Sequence, residues 1–506
     1  MLSALARRFG LPYPTVLAIG GAALALVPNG PGWTLDPHLA LTLFVAPVLL
    51  DAAYDSSVRD IKQNWLTVAS LAIVAVGLTT AAVAVVARLL VPDMPWPVAI
   101  ALGAIVAPPD AAAATAILRQ VRLPHRIVSI LEGESLINDA SALLVYRLAV
   151  VAAVSGGTLS AWTVVPTFLL VVVGSVVAGI VLARVMRFAF GITQDISTAI
   201  ILTFCSTFGV WIAAEAIGLS GILTIVTFAV LVARRGRAEQ PARLRVPTNV
   251  VWATVVFVLN IFAFVLIGLQ LRPIWDRLDA GQRESYIVVA ALVLLTTVVV
   301  RFAWVMGYTA LLMLRGRSPN PGGASSPTLR GAVLVSWAGM RGIVTLATAF
   351  AVPTVLAGGQ PFPYRDLILL CAFAVVFGTL VVQGLTLKPL ISSMHLEAED
   401  SVGREVRWGR AESYRAALVA LDGDTSAEAQ RLRVEYEEAI DLSGNDERGD
   451  HMEDLPENHV RRIAIAAARR RADELRLSGR IGDEAYRALE TEFDWTELGA
   501  TNARII

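Results

Sequence analysis

A cluster of polar residues interrupts one of the most apolar parts of this sequence. Glu134, Ser135, Asn138 and Asp139 lie within residues 130–149, in the run Leu-Glu-Gly-Glu-Ser-Leu-Ile-Asn-Asp-Ala. Residues three or four apart are neighbours on a helix surface, so these four side chains share one side of a helix. Charged side chains inside a membrane-spanning segment are costly and mark ion or proton pathways. The run therefore predicts an ion or proton site.

Two more apolar segments are interrupted by residues that break a helix. One contains Ala-Pro-Pro-Asp at 107–110, and the other contains Gly-Met-Arg-Gly at 339–342. Two prolines remove backbone donors and exclude a regular helix. A pair of interrupted membrane helices is the sequence pattern of a secondary transporter's binding site. The two segments are seven spans apart and so run in opposite directions, which predicts an inverted repeat of spans 1–5 and 8–12.

These residues have the chemistry to bind an alkali cation and a proton in turn. A hard cation prefers several oxygen ligands, some of them anionic. The best-placed donors are Asp139, Ser135 and Asp110, with backbone carbonyls freed where the fourth span unwinds. Desolvation favours a protonated carboxyl and a nearby cation favours a carboxylate. A carboxylate that holds either a proton or a metal ion, and not both well, is sufficient for exchange.

Each of these residues also has a structural interpretation. Asp139 alone could anchor a hydrogen bond, and Asp110 could cap the second half of its broken span. Arg341 is better explained as a link between broken helices than as a gate, and its natural partner is Glu134 or the side-chain oxygen of Asn138. Glu134 fits either a charge network or the ligand set.

Four other ionisable residues have weaker signals. Asp51 lies near the cytoplasmic end of the second span and is a candidate for ion access or for the site. Arg147 and Arg301 are long enough to extend towards a membrane interface, and we expect them to do so. His125 could sense pH at the start of the fifth span, although an ordinary loop histidine explains it better.

The composition indicates a polytopic membrane protein. Of 506 residues, 56% are hydrophobic and 17% are charged, and the formal net charge is zero, which gives no indication of nucleic-acid binding. Twelve apolar segments are about 20 residues long, the length of a membrane-spanning helix. Cys205 and Cys371 lie inside such segments and do not form a disulfide framework. No nucleophile–base pair or metal-ligand cluster suggests an enzyme, and no cofactor is expected.

The charges of the connecting loops predict the orientation. Cytoplasmic loops carry an excess of Lys and Arg. In this chain most basic loop residues fall in alternate loops: Arg7, Arg8, Arg59, Lys62, Arg119, Arg122, Arg126, Arg184, Arg187, Arg234, Arg235, Arg237, Arg243, Arg245, Arg315, Arg317, Arg330 and Lys388. The exception on the other side, residues 272–284, offsets three arginines with three acidic residues. This pattern predicts that both termini are cytoplasmic and that the number of spans is even.

The character of the chain changes after Ser392. We expect a transmembrane domain over 1–392 and a cytoplasmic helical tail over 393–506. The tail reads as a charged helix at 405–440, a linker at 441–458, and amphipathic helices at 460–477 and 484–498. A small helical bundle explains these features, and a regulatory role that senses pH or a partner is the alternative.

In these motifs the sequence resembles the monovalent cation:proton antiporter-1 family, the bacterial sodium/proton antiporters related to animal sodium/proton exchangers. The resemblance covers nearly all of 11–392. It rests on six motifs: 107–111, 132–140, 218–223, 265–270, 337–342 and 382–386. The Asn-Asp pair combined with the membrane Gly-Met-Arg-Gly is the specific signature.

The resemblance implies more than the spacing does. The fold would be an all-α membrane protein of about twelve helices, with an inverted repeat and two crossing broken helices, that forms a homodimer. Asp139 would exchange the cation for the proton, and sodium would bind at Asp110, Ser135 and Asp139. Asn138 would pair with Arg341, and the Asn-Asp pair is associated with electroneutral exchange. The core would slide as an elevator against the dimer interface.

The sequence departs from the family at two places. The family has Thr where Pro109 stands, so the backbone carbonyl of Pro109 remains as a ligand and the hydroxyl is lost. The family commonly has one more N-terminal helix, and this chain opens with what looks like the family's second span.

The predicted function is therefore sodium/proton antiport, possible also with lithium, in the bacterial inner membrane. Its substrates would be an alkali cation and a proton. Potassium/proton exchange is the first alternative. A transporter-like sensor that signals through the tail is a more distant one.

Overall fold

The computed structural model describes most of the chain. The described residues are 11–28, 39, 41–110, 113–114, 118, 124–155, 161–193, 195–239, 242–314, 328–356, 359–394, 401–443, 456–478, 480 and 483–499. Six basic loop residues used above for orientation lie outside them, namely Arg7, Arg8, Arg119, Arg122, Arg315 and Arg317. Most of residues 111–123, which follow the first interruption, also lie outside.

The described part of the membrane region is helical, with no strand beyond one isolated bridge between Val355 and Pro361. The helices of its first half are α1 (Tyr13–Ala25), α2 (Ala46–Asp55, after a π-helical turn at Leu41–Val45), α3 (Val58–Gln63), α4 (Trp65–Leu90), α5 (Trp96–Val106), α6 (His125–Val154) and α7 (Ala161–Ile192). Those of its second half are α8 (Ile196–Ala216), α9 (Gly221–Glu239), α10 (Ala242–Leu269), α11 (Leu271–Arg277), α12 (Arg283–Leu314), α13 (Leu329–Trp337), α14 (Ile343–Phe350) and α15 (Arg365–Met394).

These helices account for all twelve predicted spans. Within the described residues, seven helical segments are long and apolar enough to cross a membrane, and four shorter apolar helices mark the first, second, fourth and eighth spans. The eleventh span is the split pair of α13 and α14, separated by residues 338–342. Helices α8 and α9 are distinct, joined by a turn in which Gly218 has a φ of +77°. The all-helical polytopic fold is confirmed.

The membrane helices pack as two bundles. We call α4, α5, α6, α12, α13, α14 and α15 the site bundle, because α5 packs between α4 and α6, and α12 packs on α4, α13 and α15. We call α1, α2, α7, α8, α9 and α10 the flanking bundle, in which α1 packs on α10, and α9 packs on α2, α7 and α8. Helix α15 is enclosed, because 72% of its most apolar stretch is buried. Helix α7 lies at the periphery, with 17% of its most apolar stretch buried.

A close helix crossing stabilises the flanking bundle. A Cβ added to Gly21 of α1 would overlap the carbonyl of Val265, and one added to Gly268 of α10 would overlap the carbonyl of Ala18. Small residues let membrane helices approach closely, where dispersion contacts replace the missing hydrophobic effect. The glycine in the motif at 265–270 is therefore a packing residue.

The chain divides into two compact units, Met1–Ala398 and Glu399–Ile506. The second unit contains α16 (Ser401–Ala420) and α17 (Ala427–Ser443), which pack together, and α18 (Pro456–Leu477) and α19 (Asp483–Gly499), which pack together. One correction concerns 405–440, predicted as a single helix: a turn over residues 421–426 divides it. Gly423 in that turn has a φ of +91°, which favours glycine. Most of the predicted linker, residues 444–455, lies outside the described part.

Candidate functional site

The two interruptions of the membrane helices meet each other. Helix α5 ends at Val106 and residues 107–110 are not helical, while residues 338–342 separate α13 from α14. The Asp110 N–H donates to the carbonyl of Met340 across 2.6 Å. Non-helical backbone at membrane depth is tolerated only where protein or a water-filled cavity satisfies its polar groups. This hydrogen bond gives a backbone polar group of each interruption a partner in the other.

Arg341 links the interruptions through backbone carbonyls. Its side chain is 1% exposed, its Nε donates to Val106 O at 3.2 Å, and its Nη2 donates to Ala107 O at 3.4 Å. Its Nη1 also donates to the carbonyl of Gly339, and its backbone N–H donates to Thr379 Oγ1 at 3.1 Å. A cation is favoured at the carbonyl end of a helix, so Arg341 stabilises the end of α5.

Asn138 holds the same unwound segment from the other side. It is fully buried, and its Nδ2 donates to the carbonyl of Pro109 at 3.0 Å. The structure therefore corrects the expected pairing of Asn138 with Arg341: each residue bonds to the backbone at 106–109, and not to the other. The missing helical turn leaves backbone carbonyls at 106–109 without their usual donors. Buried acceptors without donors are costly, so Asn138 and Arg341 donate to these carbonyls. The Asn138 Oδ1 atom is buried and has no hydrogen-bond partner in the described structure.

The carboxylates of Asp139 and Asp110 lie close enough to interact electrostatically. Asp139 is 6% exposed on α6, and Asp110 and Ser135 are partly buried. Two acidic groups so placed repel each other, and a cation between them relieves that repulsion. Asp51 is partly buried on α2, a helix that contacts α6.

Glu134 pairs with an arginine that the sequence did not connect to it. Arg301 of α12 donates to both carboxylate oxygens of Glu134, at 2.5 and 2.9 Å, and the two side chains are 3% and 1% exposed. Arg301 also donates to the carbonyls of Val335 and Ser336, where α13 ends. Its expected location at a membrane interface is therefore wrong. The sequence feature that could have predicted this pairing is the position of Arg301 in the middle of an apolar span, where an arginine needs buried acceptors.

The glycines of the second interruption make room for these charges. A Cβ added to Gly342 would overlap the Asp110 carboxylate, and one added to Gly339 would overlap the Arg301 guanidinium. Gly342 precedes the N-terminus of α14, where the helix dipole favours an anion such as Asp110. The glycines are thus required by close approach, since Gly342 has a negative φ of −128°.

We expect Gly342→Ala to lower the thermal unfolding midpoint in detergent. Overpacking of a well-filled interior costs about 1–3 kcal/mol, and here the methyl group displaces a charged side chain. The matched control is Gly307→Ala on α12, because a Cβ at Gly307 meets nothing within 4 Å. Equal unfolding midpoints for the two variants would show that Asp110 is not held against Gly342.

A bilayer-length helical unit with charged residues at two facing helix interruptions defines a class of proteins, the secondary transporters. A family model described as "Sodium/hydrogen exchanger, transmembrane" matches residues 1–393. The chain belongs to this family, which confirms the family resemblance found in its motifs.

Named relatives agree with that membership. The chain is 31% identical over 424 residues to the "Sodium, potassium, lithium and rubidium/H(+) antiporter" of Bacillus pumilus, with 81% of this chain covered. It spans 62% of that relative's length. It is 30% identical to the "Uncharacterized Na(+)/H(+) exchanger YjcE" of Escherichia coli, with coverage of 97% of this chain and 94% of the relative.

The fold is similar to that of the sodium proton antiporter MjNhaP1 from Methanocaldococcus jannaschii, solved at pH 8. The TM-score is 0.59 and the identity is 16%, and the match covers 78% of this chain and 95% of the other. This likeness supports the fold.

Proposed function

We propose that this protein exchanges an alkali cation for a proton across the membrane, with Asp139 binding each in turn. The observation that carries the proposal is the meeting of the two broken helices beside Asp139: the Asp110 N–H donates to the carbonyl of Met340, and Asn138, the neighbour of Asp139, donates to the carbonyl of Pro109. A cation bound there has two anionic oxygens, the Ser135 hydroxyl and the backbone carbonyl of Pro109 as candidate ligands, which suits a hard ion. Cation and proton compete because each neutralises the same carboxylate.

Sodium is the first proposed cation, and potassium the alternative. The relative from Bacillus pumilus is named for sodium, potassium, lithium and rubidium, so a broad selectivity is compatible with the family. Pro109 contributes a carbonyl but no hydroxyl to the site, and its carbonyl already accepts one hydrogen bond from Asn138. Fewer fixed ligands leave selectivity to cavity size and flexibility.

Exchange is proposed to be electroneutral. Asn138 stands beside Asp139, and an amide takes up no second proton, so each transfer of one cation or one proton neutralises Asp139 once. The charge of Glu134 is compensated by Arg301, and Arg341 is a fixed charge bound to backbone carbonyls. The charge pattern of the loops supports cytoplasmic termini in a bacterial inner membrane, and the resemblance supports a homodimer. A regulatory role of the tail is the alternative to a plain helical bundle.

The proposal is tested with purified protein in vesicles that contain a pH-sensitive dye. Sodium, lithium, potassium or rubidium is added outside a preset pH gradient, and at least one of them should collapse the gradient. Vesicles without protein provide the background rate. A second series with the membrane potential clamped at different values should give equal rates, and a rate that follows the potential would overturn electroneutrality. If no cation changes the internal pH, the proposed antiport is wrong.

A further inference from the structure

Arg147 forms an ion pair that joins the two bundles. It lies on α6 in the site bundle, about two helical turns beyond Asp139. Its Nη2 donates to Glu215 Oε1 at 2.7 Å, and Glu215 lies near the end of α8 in the flanking bundle. The side chains are 34% and 38% exposed. Arg147 is therefore partly exposed, and it has a specific partner in the flanking bundle.

Glu215 is fixed in its own bundle independently of Arg147. Its Oε1 also accepts the N–H of Gly221 at 3.0 Å, and Gly221 is the first residue of α9. Exposed helix N–H groups and the helix dipole both favour an anion at that place. The turn between α8 and α9 is tied to α7 as well, because the Ser220 N–H donates to Ser175 Oγ at 2.9 Å. Glu215 is therefore a preorganised acceptor on the flanking bundle.

The strength of the pair suits a contact that opens and closes. A buried ion pair would be very costly to break, whereas an ion pair that is about one-third exposed contributes little net stability. Alternating access in secondary transporters occurs largely by rigid-body movement of one bundle against another around the binding site. Because α6 carries both Asp139 and Arg147, a movement of α6 against α8 that relocates the site also separates the ion pair.

We propose that Arg147 and Glu215 form a latch that favours one of the two transport states and opens for the other. The inference rests on the antiport proposed above. Loop charges predict that the α8–α9 turn faces away from the cytoplasm, so the closed latch favours the state in which the site opens to the cytoplasm. Loss of the latch therefore favours the outward-open state.

The first test is a double-mutant cycle. Arg147→Gln and Glu215→Gln should each lower the half-saturating cation concentration at the outer face and raise it at the cytoplasmic face, by roughly two- to fivefold. Glu215→Gln keeps an oxygen for the Gly221 N–H, so only the charge is removed. The double variant should equal either single variant, because both remove the same interaction. Arg147→Lys, which keeps the charge, should behave like the wild type.

The matched control is Asp276→Asn, which removes the exposed Arg272–Asp276 pair within α11. It joins no two bundles and should leave both half-saturating concentrations unchanged. Additive effects in the cycle, or no shift at either face, would overturn the latch.

A second measurement does not depend on transport. Hydrogen–deuterium exchange of purified protein should show faster uptake in the second half of α6 and in the α8–α9 turn for Arg147→Gln than for wild type. Faster uptake in a protein that moves no cation would support the contact and overturn the antiport. Unchanged uptake and unchanged half-saturation in a protein that exchanges cations would overturn the latch alone.

Discussion

Asp139→Asn is expected to reduce cation/proton exchange to the rate of vesicles without protein. The asparagine has nearly the same shape as the aspartate, so packing on α6 is retained, but it neither binds a proton nor carries a charge for the cation. Asp139 is 6% exposed and lies within electrostatic reach of Asp110, so bulk water is largely excluded from its carboxylate. The measurement is the collapse of a preset pH gradient by each alkali cation in dye-loaded vesicles.

Two controls make this result specific. The variant should keep the elution profile and thermal unfolding midpoint of the wild type in detergent, which separates loss of chemistry from loss of fold. Asp276→Asn, an identical chemical change on the exposed surface of α11, should exchange at the wild-type rate. Substantial exchange by Asp139→Asn would show that another carboxylate binds the proton and the cation, and Asp110 would be the next candidate.

Arg301→Leu is expected to produce the largest loss of stability. It leaves the Glu134 carboxylate buried without its cation and removes the donor for the carbonyls of Val335 and Ser336. Breaking a buried ion pair by removing one partner costs about 3–5 kcal/mol. We expect low yields of folded protein and a lowered unfolding midpoint in detergent.

The double variant Glu134→Gln with Arg301→Leu distinguishes the causes. Replacing both members of a buried pair removes the uncompensated charge, so the double variant should recover part of the stability lost by Arg301→Leu. Arg147→Gln serves as the partly exposed comparison, with an expected cost of about 0–1 kcal/mol. A double variant less stable than Arg301→Leu, or an Arg301→Leu as stable as Arg147→Gln, would contradict this account.

Local patterns were sufficient to predict the helices and the two interruptions. These patterns determine the backbone structure at their own positions. They are the runs of apolar residues, the prolines at 108 and 109, and the glycines around Arg341. This is why the split of the eleventh span and the end of α5 at Val106 agree with the sequence.

The partners of the charged residues could not be predicted in the same way. Arg341 bonds to backbone carbonyls, and a carbonyl has no residue-type signature that a sequence could reveal. Glu134 and Arg301 are 167 residues apart, and they are brought together because α6 and α12 both pack against α13. Arg147 and Glu215 come from different bundles, so their contact depends on how the bundles meet.

The separation of Glu134 from Arg301 has a consequence for biosynthesis. Chains are synthesised at about 5–20 residues per second, so the 167 residues between the pair correspond to on the order of ten to thirty seconds. During that interval α6 has been synthesised and Arg301 has not. The nascent chain therefore passes through a stage in which Glu134 lies at membrane depth without its cation. A defect that delays insertion of α12 is expected to destabilise α6 in the membrane, although α6 was synthesised much earlier.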